Sequence, residues 1–251
     1  MKLLHLDIET APNEAYVWGA RNDFIPSDRI KETSRVMCFA HKWEGDRGVG
    51  FVSEWEHGKK ELIDTAHALL CDADAVVTYN GNRFDLPVLN REFLLNGLTP
   101  PEPYHSIDLY RTVKREFRFT HNKLDSVCKE MGLGEKVKHP GFSLWVDVMN
   151  GVEKAQRTME RYNKQDVRLL PKLYKALLPW IRNHPNHALF FETDRPVCPN
   201  CGSHHMTKQG FKKTKTQIYQ QYKCGSCGTW SRDRYTLVPQ EKRSTILTGA
   251  M

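Results

Sequence analysis

The 251-residue sequence contains no apolar run approaching the roughly 20 residues that a membrane-spanning helix needs. It contains no internal repeat and no low-complexity segment, so solenoid and fibrous architectures are set aside. A single Lys precedes a short strand-like run that ends in acids, a start unlike a signal peptide. A disulfide framework is missing as well. The seven Cys are an odd number, four of them in two close pairs near the C-terminus, with Cys38, Cys71 and Cys128 scattered. That grouping points to a metal site in a reducing compartment, so a cytoplasmic protein without membrane attachment is expected.

What is present reads as a soluble globular chain, 39% hydrophobic and 27% charged. The length suits one sizeable domain plus a small one. The net charge of +7 is unevenly placed, because residues 192–251 carry 10 Lys/Arg against 4 Asp/Glu. A basic polar C-terminal region suits an anionic polymer, although a merely solvated surface has the same composition.

Strands are expected at residues 2–9, 36–43, 49–52 and 75–79, and helices at 61–70 and 86–95, the latter stopped by Gly97. Asn122 or Asp125 is placed to cap a helix ending near Gly132. Residues 152–182 read as one long helical stretch, open to interruption at Pro171 and Pro179. Alternating strands and helices indicate an α/β domain.

The first strand, Leu3-Leu4-His5-Leu6-Asp7-Ile8-Glu9-Thr10, carries the most informative pair. Side chains alternate along a strand, so Asp7 and Glu9 share one face while Leu4, Leu6 and Ile8 share the other. Adjacent carboxylates repel and lose solvation unless a cation lies between them, so the pair is suited to a divalent metal. Further along, Val76 to Thr78 runs into the turn Asn80-Gly81-Asn82, after which Asp85 opens a helix. Asp85 is either a helix cap or a ligand at the carboxyl end of a strand. On the long helix, Tyr162 and Asp166 are four residues apart and share a face. Alone, that pair reads better as a partly buried Tyr beside a surface acid.

Taken in order, Asp-x-Glu, Asn-x-x-x-Phe-Asp and Tyr-x-x-x-Asp resemble the motifs of the DEDD exonuclease superfamily, in its tyrosine-type branch. The resemblance covers about residues 1–180, with no departure in the three motifs, and the segments 105–109 and 122–127 fit it too. It implies an RNase H-like fold, a mixed sheet flanked by helices, and 3′-5′ exonuclease activity with two Mg²⁺ or Mn²⁺ ions. It further implies that Asp7 bridges the two ions, that Glu9 and Asp166 hold the water-activating one, and that Asp85 acts on the second through water. Tyr162 would orient the attacking water. Its phenol, with an ordinary pKa near 10, is a poor free base at neutral pH. Thr10, Asn80, Phe84 and Leu124 are candidates for the terminal-nucleotide pocket, with Phe84 equally suited to the core.

Cys198-Pro-Asn-Cys201 and Cys224-Gly-Ser-Cys227 have the spacing of a tetrahedral structural Zn²⁺ site, closed by four thiolates. Between and after the pairs, Lys212, Lys213, Lys215, Arg232 and Arg234 alternate with Phe211, Tyr219, Tyr222 and Trp230. Cations interleaved with aromatics suit phosphate and base contacts, or else the aromatics fill the small core around the metal. The segment resembles the zinc ribbons of insertion-sequence transposases, which implies contact with nucleic acid or, alternatively, with protein. The expected organisation is an exonuclease domain at 1–182, a linker at 183–197, a zinc ribbon at 198–236 and a tail at 237–251. The expected substrate is DNA, with RNA as an alternative and a replication or repair protein as a further partner. A non-catalytic binding scaffold is the alternative of a different class.

Overall fold

The computed structural model describes residues 1–19 and 24–250. In chain order the strands are β1 (Leu3–Thr10), β2 (Glu14–Ala15), β3 (Ile30–Glu32), β4 (Val36–Trp43), β5 (Gly50–Ser53), β6 (Ala75–Thr78), β7 (His105–Asp108), β8 (Met206–Lys213), β9 (Ile218–Cys224) and β10 (Trp230–Arg232). The helices are α1 (Glu54–His57), α2 (Lys59–Asp72), α3 (Asp85–Leu95), α4 (Leu109–Glu116), α5 (Leu124–Glu130), α6 (Ser143–Met149), α7 (Glu153–Leu177) and α8 (Gln240–Arg243). Among the described residues, no helix is long and apolar enough to cross a membrane. The chain divides into two compact units, Lys2–Tyr174 and the remainder from Lys175 onward with Met1.

The first unit is a five-stranded mixed sheet in the order β5-β4-β1-β6-β7. The β5-β4-β1 half is antiparallel and the β1-β6-β7 half is parallel. Leu4, Leu6 and Ile8 enter one core with Leu62, Ile63, Leu89 and Phe93 of α2 and α3, as the strand alternation predicts. Met37 and Cys38 enter a second core on the opposite side with Leu144 and Val148 of α6 and Met159 and Tyr162 of α7. Helices therefore cover both faces, and β1 sits in the middle of the sheet with its acids on the α7 side.

Several expectations are adjusted. The cap of α5 is Lys123, with no side-chain hydrogen bond, and the Asp125 carboxylate instead accepts the Lys136 N–H at 2.8 Å. Pro171 is accommodated inside α7, which ends at Leu177, whereas Pro179 lies in a short 3₁₀ turn at Leu178–Trp180. The short helices α4 and α6 were not anticipated, because each is too brief to show a full period of apolar residues.

In the second unit, β8, β9 and β10 form an antiparallel sheet in the order β10-β9-β8. A bulge between Lys208 and Phe211 places Gly210 at a φ of 68°, which glycine tolerates. Tyr222 is buried, while Phe211 and Trp230 are half-exposed, so only one of these three aromatics belongs to the ribbon core.

Candidate functional site

Pairing of β1 with β6 ends at His5 opposite Val77. Beyond it, the Ile8 N–H donates to the Asp85 carboxylate at 3.1 Å. Asp85, the first residue of α3, thus binds the backbone of β1 as well as its own N–H, while the cap position is held by Phe84. The turn that delivers it has little latitude. Asn80 has a φ of 69°, and a side chain on Gly81 would lie 2.3 Å from Thr78 Oγ1. Buried Asp108, the cap of α4, accepts the N–H groups of Asn80 at 2.9 Å, Tyr110 at 3.0 Å and Asn82 at 3.3 Å. The cleft accordingly lies at the carboxyl ends of the parallel strands, where open α/β sheets commonly bind ligands.

Asp7, Glu9 and Asp166 come together there, with one carboxylate oxygen from each within 4.8 Å of the others. Two helical residues and one from the segment between α5 and α6 secure them. Asn163 Nδ2 donates to the Asp7 carboxylate at 2.7 Å and to the Asp7 carbonyl at 3.1 Å. Trp145 of α6 hydrogen-bonds Glu9. Asp166 is 1% exposed and forms an ion pair with Lys136, whose ammonium also donates to the Tyr162 hydroxyl at 3.1 Å. Tyr162 is held edge-on by His139 and Trp145 at 4.8 and 6.1 Å between ring centres.

Burial is the leading influence on these acids, and all four carboxyls rise above the ordinary range. Asp7 rises well above it, pushed further by Asp166, Asp85 and Glu9. Glu9 is raised to about 8 by burial and then by Asp166. Asp85 is raised to about 7 by burial, against the opposing Ile8 N–H. Asp166 is raised by burial in spite of Lys136. Burial works against the charge of Lys136, but Asp166, Tyr162 and Asp7 outweigh it and keep the ammonium protonated. Tyr162 is pushed upward by burial and by Asp166, so its hydroxyl keeps its proton at neutral pH. One cation therefore faces four crowded acids, and Asp166 Oδ1 is buried without a hydrogen-bond partner. An all-oxygen donor set with an unsatisfied buried oxygen fits a hard divalent cation such as Mg²⁺ or Mn²⁺.

Asn80 and Leu124 line the same cleft, of about 540 Å³, together with Asp7, Lys136 and Tyr162. Thr10 lies in a neighbouring apolar groove beside His139, Phe142 and Trp145. Phe84 is 44% exposed, so the core alternative is excluded, and it is not among the residues lining either space. Sequence reasoning did not single out Lys136, Trp145 or Asn163. Asn163 stood inside the Tyr-Asn-Lys-Gln-Asp segment, one residue from Tyr162, whereas Lys136 and Trp145 carry no pattern of their own.

In the second unit the four sulfurs of Cys198, Cys201, Cys224 and Cys227 also lie within 4.8 Å of one another, with closest pairs at 3.5 and 3.6 Å. A tetrahedron with Zn–S bonds of about 2.3 Å has edges of about 3.8 Å, so the spacing fits zinc. Gly202 and Gly228 adopt φ values of 70° and 81° directly after each pair, and the Ser226 and Cys227 N–H groups point at the Cys224 sulfur at 3.4 and 3.5 Å. Lys212 and Lys213 on β8 and Lys215 in the following turn are exposed.

A mixed α/β sheet whose central strand carries clustered acids defines an RNase H-like protein. A model of the RNase_H superfamily matches residues 30–178, more than half of the chain, and the chain belongs to that superfamily. The match begins after β1, so the grouping of Asp7 and Glu9 with Asp166 rests on the geometry above. Among solved structures, the chain resembles a family B DNA polymerase from the hyperthermophilic archaeon Pyrobaculum calidifontis, with 21% identity and a TM-score of 0.55. The likeness covers 71% of this chain but 24% of the polymerase, so the chain spans about a quarter of its length. No curated protein matches.

Proposed function

We infer that the protein is a divalent-metal-dependent nuclease that removes nucleotides from the 3′ end of DNA. The observation that carries this reading is the convergence of Asp7, Glu9 and Asp166 in one cleft, with Asp166 Oδ1 buried and without a hydrogen-bond partner. Asp7, Glu9 and Asp166 would hold the ions, with Asp85 beside them. When bound, a pair of Mg²⁺ or Mn²⁺ ions stabilises charge on attacking and leaving oxygens and makes water a nucleophile near neutral pH.

The chain's own residues supply positioning. Asn163 fixes Asp7, Trp145 fixes Glu9, and the Ile8 N–H fixes Asp85. Tyr162, protonated and braced by His139 and Trp145, orients a water or a phosphate oxygen through its hydroxyl. Lys136 offers a second donor at the same place. The 3′ direction and the preference for DNA follow from the motif resemblance. Domain limits near 182 and 198, a structural Zn²⁺ on the four cysteines, and nucleic-acid contact through Lys212, Lys213 and Lys215 belong to the same reading. A ribbon exposing Phe211 and Trp230 among cations supports it.

The test is digestion of 5′-labelled single-stranded DNA, duplex DNA and RNA with Mg²⁺ or Mn²⁺, beside EDTA and Asp7→Ala controls. A ladder of shortened products that disappears in both controls supports the reading and identifies the substrate. Absence of any metal-dependent product from folded, zinc-loaded protein refutes it.

A further inference from the structure

A second groove, of about 550 Å³, adjoins the acidic cleft and shares Asn80 and Tyr110 with it. Its other walls are Asn82, Arg83, Arg111, Lys114 and Arg115, with no acid among the lining residues. Arg115 is paired with Glu116. Arg83, Arg111 and Lys114 are exposed and have no ion pair among the described residues. Three uncompensated cations facing one groove repel one another, an arrangement that an anion relieves.

The groove is also tied to the cleft. Asp108 caps α4 through the Tyr110 N–H and holds the Asn80 and Asn82 N–H groups with the same carboxylate, so α4 and the turn leading to Asp85 share one anchor. Tyr110 stands at the junction, edge-on to Tyr79 with ring centres 5.7 Å apart, and presents an aromatic face between the two spaces. Arg111 and Lys114 are about one turn apart on α4 and share its groove-facing side.

We propose that this groove is the track for the single-stranded nucleic-acid segment that trails from the cleft, its phosphates on Arg83, Arg111 and Lys114 and a base against Tyr110. The groove rests on the nuclease reading only for where the strand ends; its affinity for the strand is independent of cutting. Specificity follows, because a backbone track favours single strands of any sequence.

The experiment is fluorescence anisotropy of labelled oligothymidylate with the full chain, in buffer freed of Mg²⁺ and Mn²⁺ and with zinc left on the protein. Arg111→Gln/Lys114→Gln is compared with wild type and with Lys59→Gln/Lys60→Gln, which removes equal charge from α2. Each phosphate contact contributes a slope of about 0.7 in log K against log salt for single strands, so losing two flattens the slope by about 1.4. Between about 50 and 200 mM salt, wild-type affinity then falls about sevenfold more than that of the groove variant. An unchanged slope in the groove variant, or an equal change in the α2 variant, overturns the groove. If the groove variant loses slope as expected but wild type never degrades DNA with Mg²⁺ or Mn²⁺, the nuclease reading fails and the groove stands. If DNA is degraded and the groove variant binds like wild type, the groove fails and the nuclease reading stands.

Discussion

Asp7→Asn is expected to inactivate the protein and at the same time to stabilise it when Mg²⁺ and Mn²⁺ are absent. Asp7 has carboxylate neighbours in Glu9 and Asp166 within 4.8 Å, and Asp85 adds to the repulsion. At that separation each like-charged pair is unfavourable by about 3.5 kcal/mol at an effective dielectric of about 20. Lys136 and partial proton uptake relieve much of this, leaving about 1–3 kcal/mol to be recovered by the neutral amide. Asn163 can keep its contact, because the amide still offers it an oxygen. For a chain of this size 1 kcal/mol corresponds to about 2–4 °C, so the melting temperature should rise by about 2–12 °C. The sign with pH follows from the raised acids. Glu9 at about 8 and Asp85 at about 7 hold protons in the folded state that the unfolded chain has released. Their contribution is therefore fully present near pH 4, and stability is lost as pH rises toward 8. The gap between Asp7→Asn and wild type should widen over that interval. Added Mn²⁺ should raise the wild-type melting temperature with concentration and leave the variant almost unmoved. Differential scanning calorimetry at a fixed, low concentration of added Zn²⁺ reads all of these. A lower melting temperature for Asp7→Asn without Mn²⁺, or a wild type indifferent to Mn²⁺, would refute the reasoning.

Lys136→Met removes the cation paired with Asp166 and leaves that acid buried beside Tyr162. Loss of one partner of a buried pair costs about 3–5 kcal/mol, so the Mn²⁺-free melting temperature should fall, with Mn²⁺ restoring part of it; a rise on substitution would contradict the pairing. Gly81→Ala places a methyl 2.3 Å from Oγ1 of the buried Thr78, and a urea melt should show a loss of about 1–3 kcal/mol together with a weaker Mn²⁺ response, since Asp85 depends on that turn. Cys224→Ser should abolish the zinc signal of the purified protein in atomic emission, and full retention of zinc would show that the metal is held elsewhere.

The legible parts of this fold are those with short-range periodicity. Strand β4 lies at Val36–Trp43 as expected, because its run of apolar residues is bounded by a charged turn. Helix α3 stops where Gly97, at a φ of 73°, ends it. Asp7 and Glu9 were legible as a shared face because alternation depends on neighbouring residues alone. Their meeting with Asp166 spans more than 150 residues of chain, and it was reached from the order of the motifs rather than from any local rule. Lys136 was not legible at all. It comes from an irregular segment between α5 and α6, and what places it is the Asp125 carboxylate holding its N–H, an acid that sequence reasoning assigned to a helix cap.

The same distinction explains how the site tolerates its own repulsion. Each acid is held by an element that is stable for other reasons. Asp7 and Glu9 belong to a central strand whose other face packs against α2 and α3, and Asp166 belongs to a 25-residue helix with buried Val167, Leu169, Leu170 and Leu173 beside it. Asp85 accepts the Ile8 N–H, which lies beyond the end of the β1–β6 ladder. Each of these contacts is made by the chain's own groups. On the proposed function, a divalent cation would meet acids already brought together by the fold, and relief of their mutual repulsion would add to its affinity.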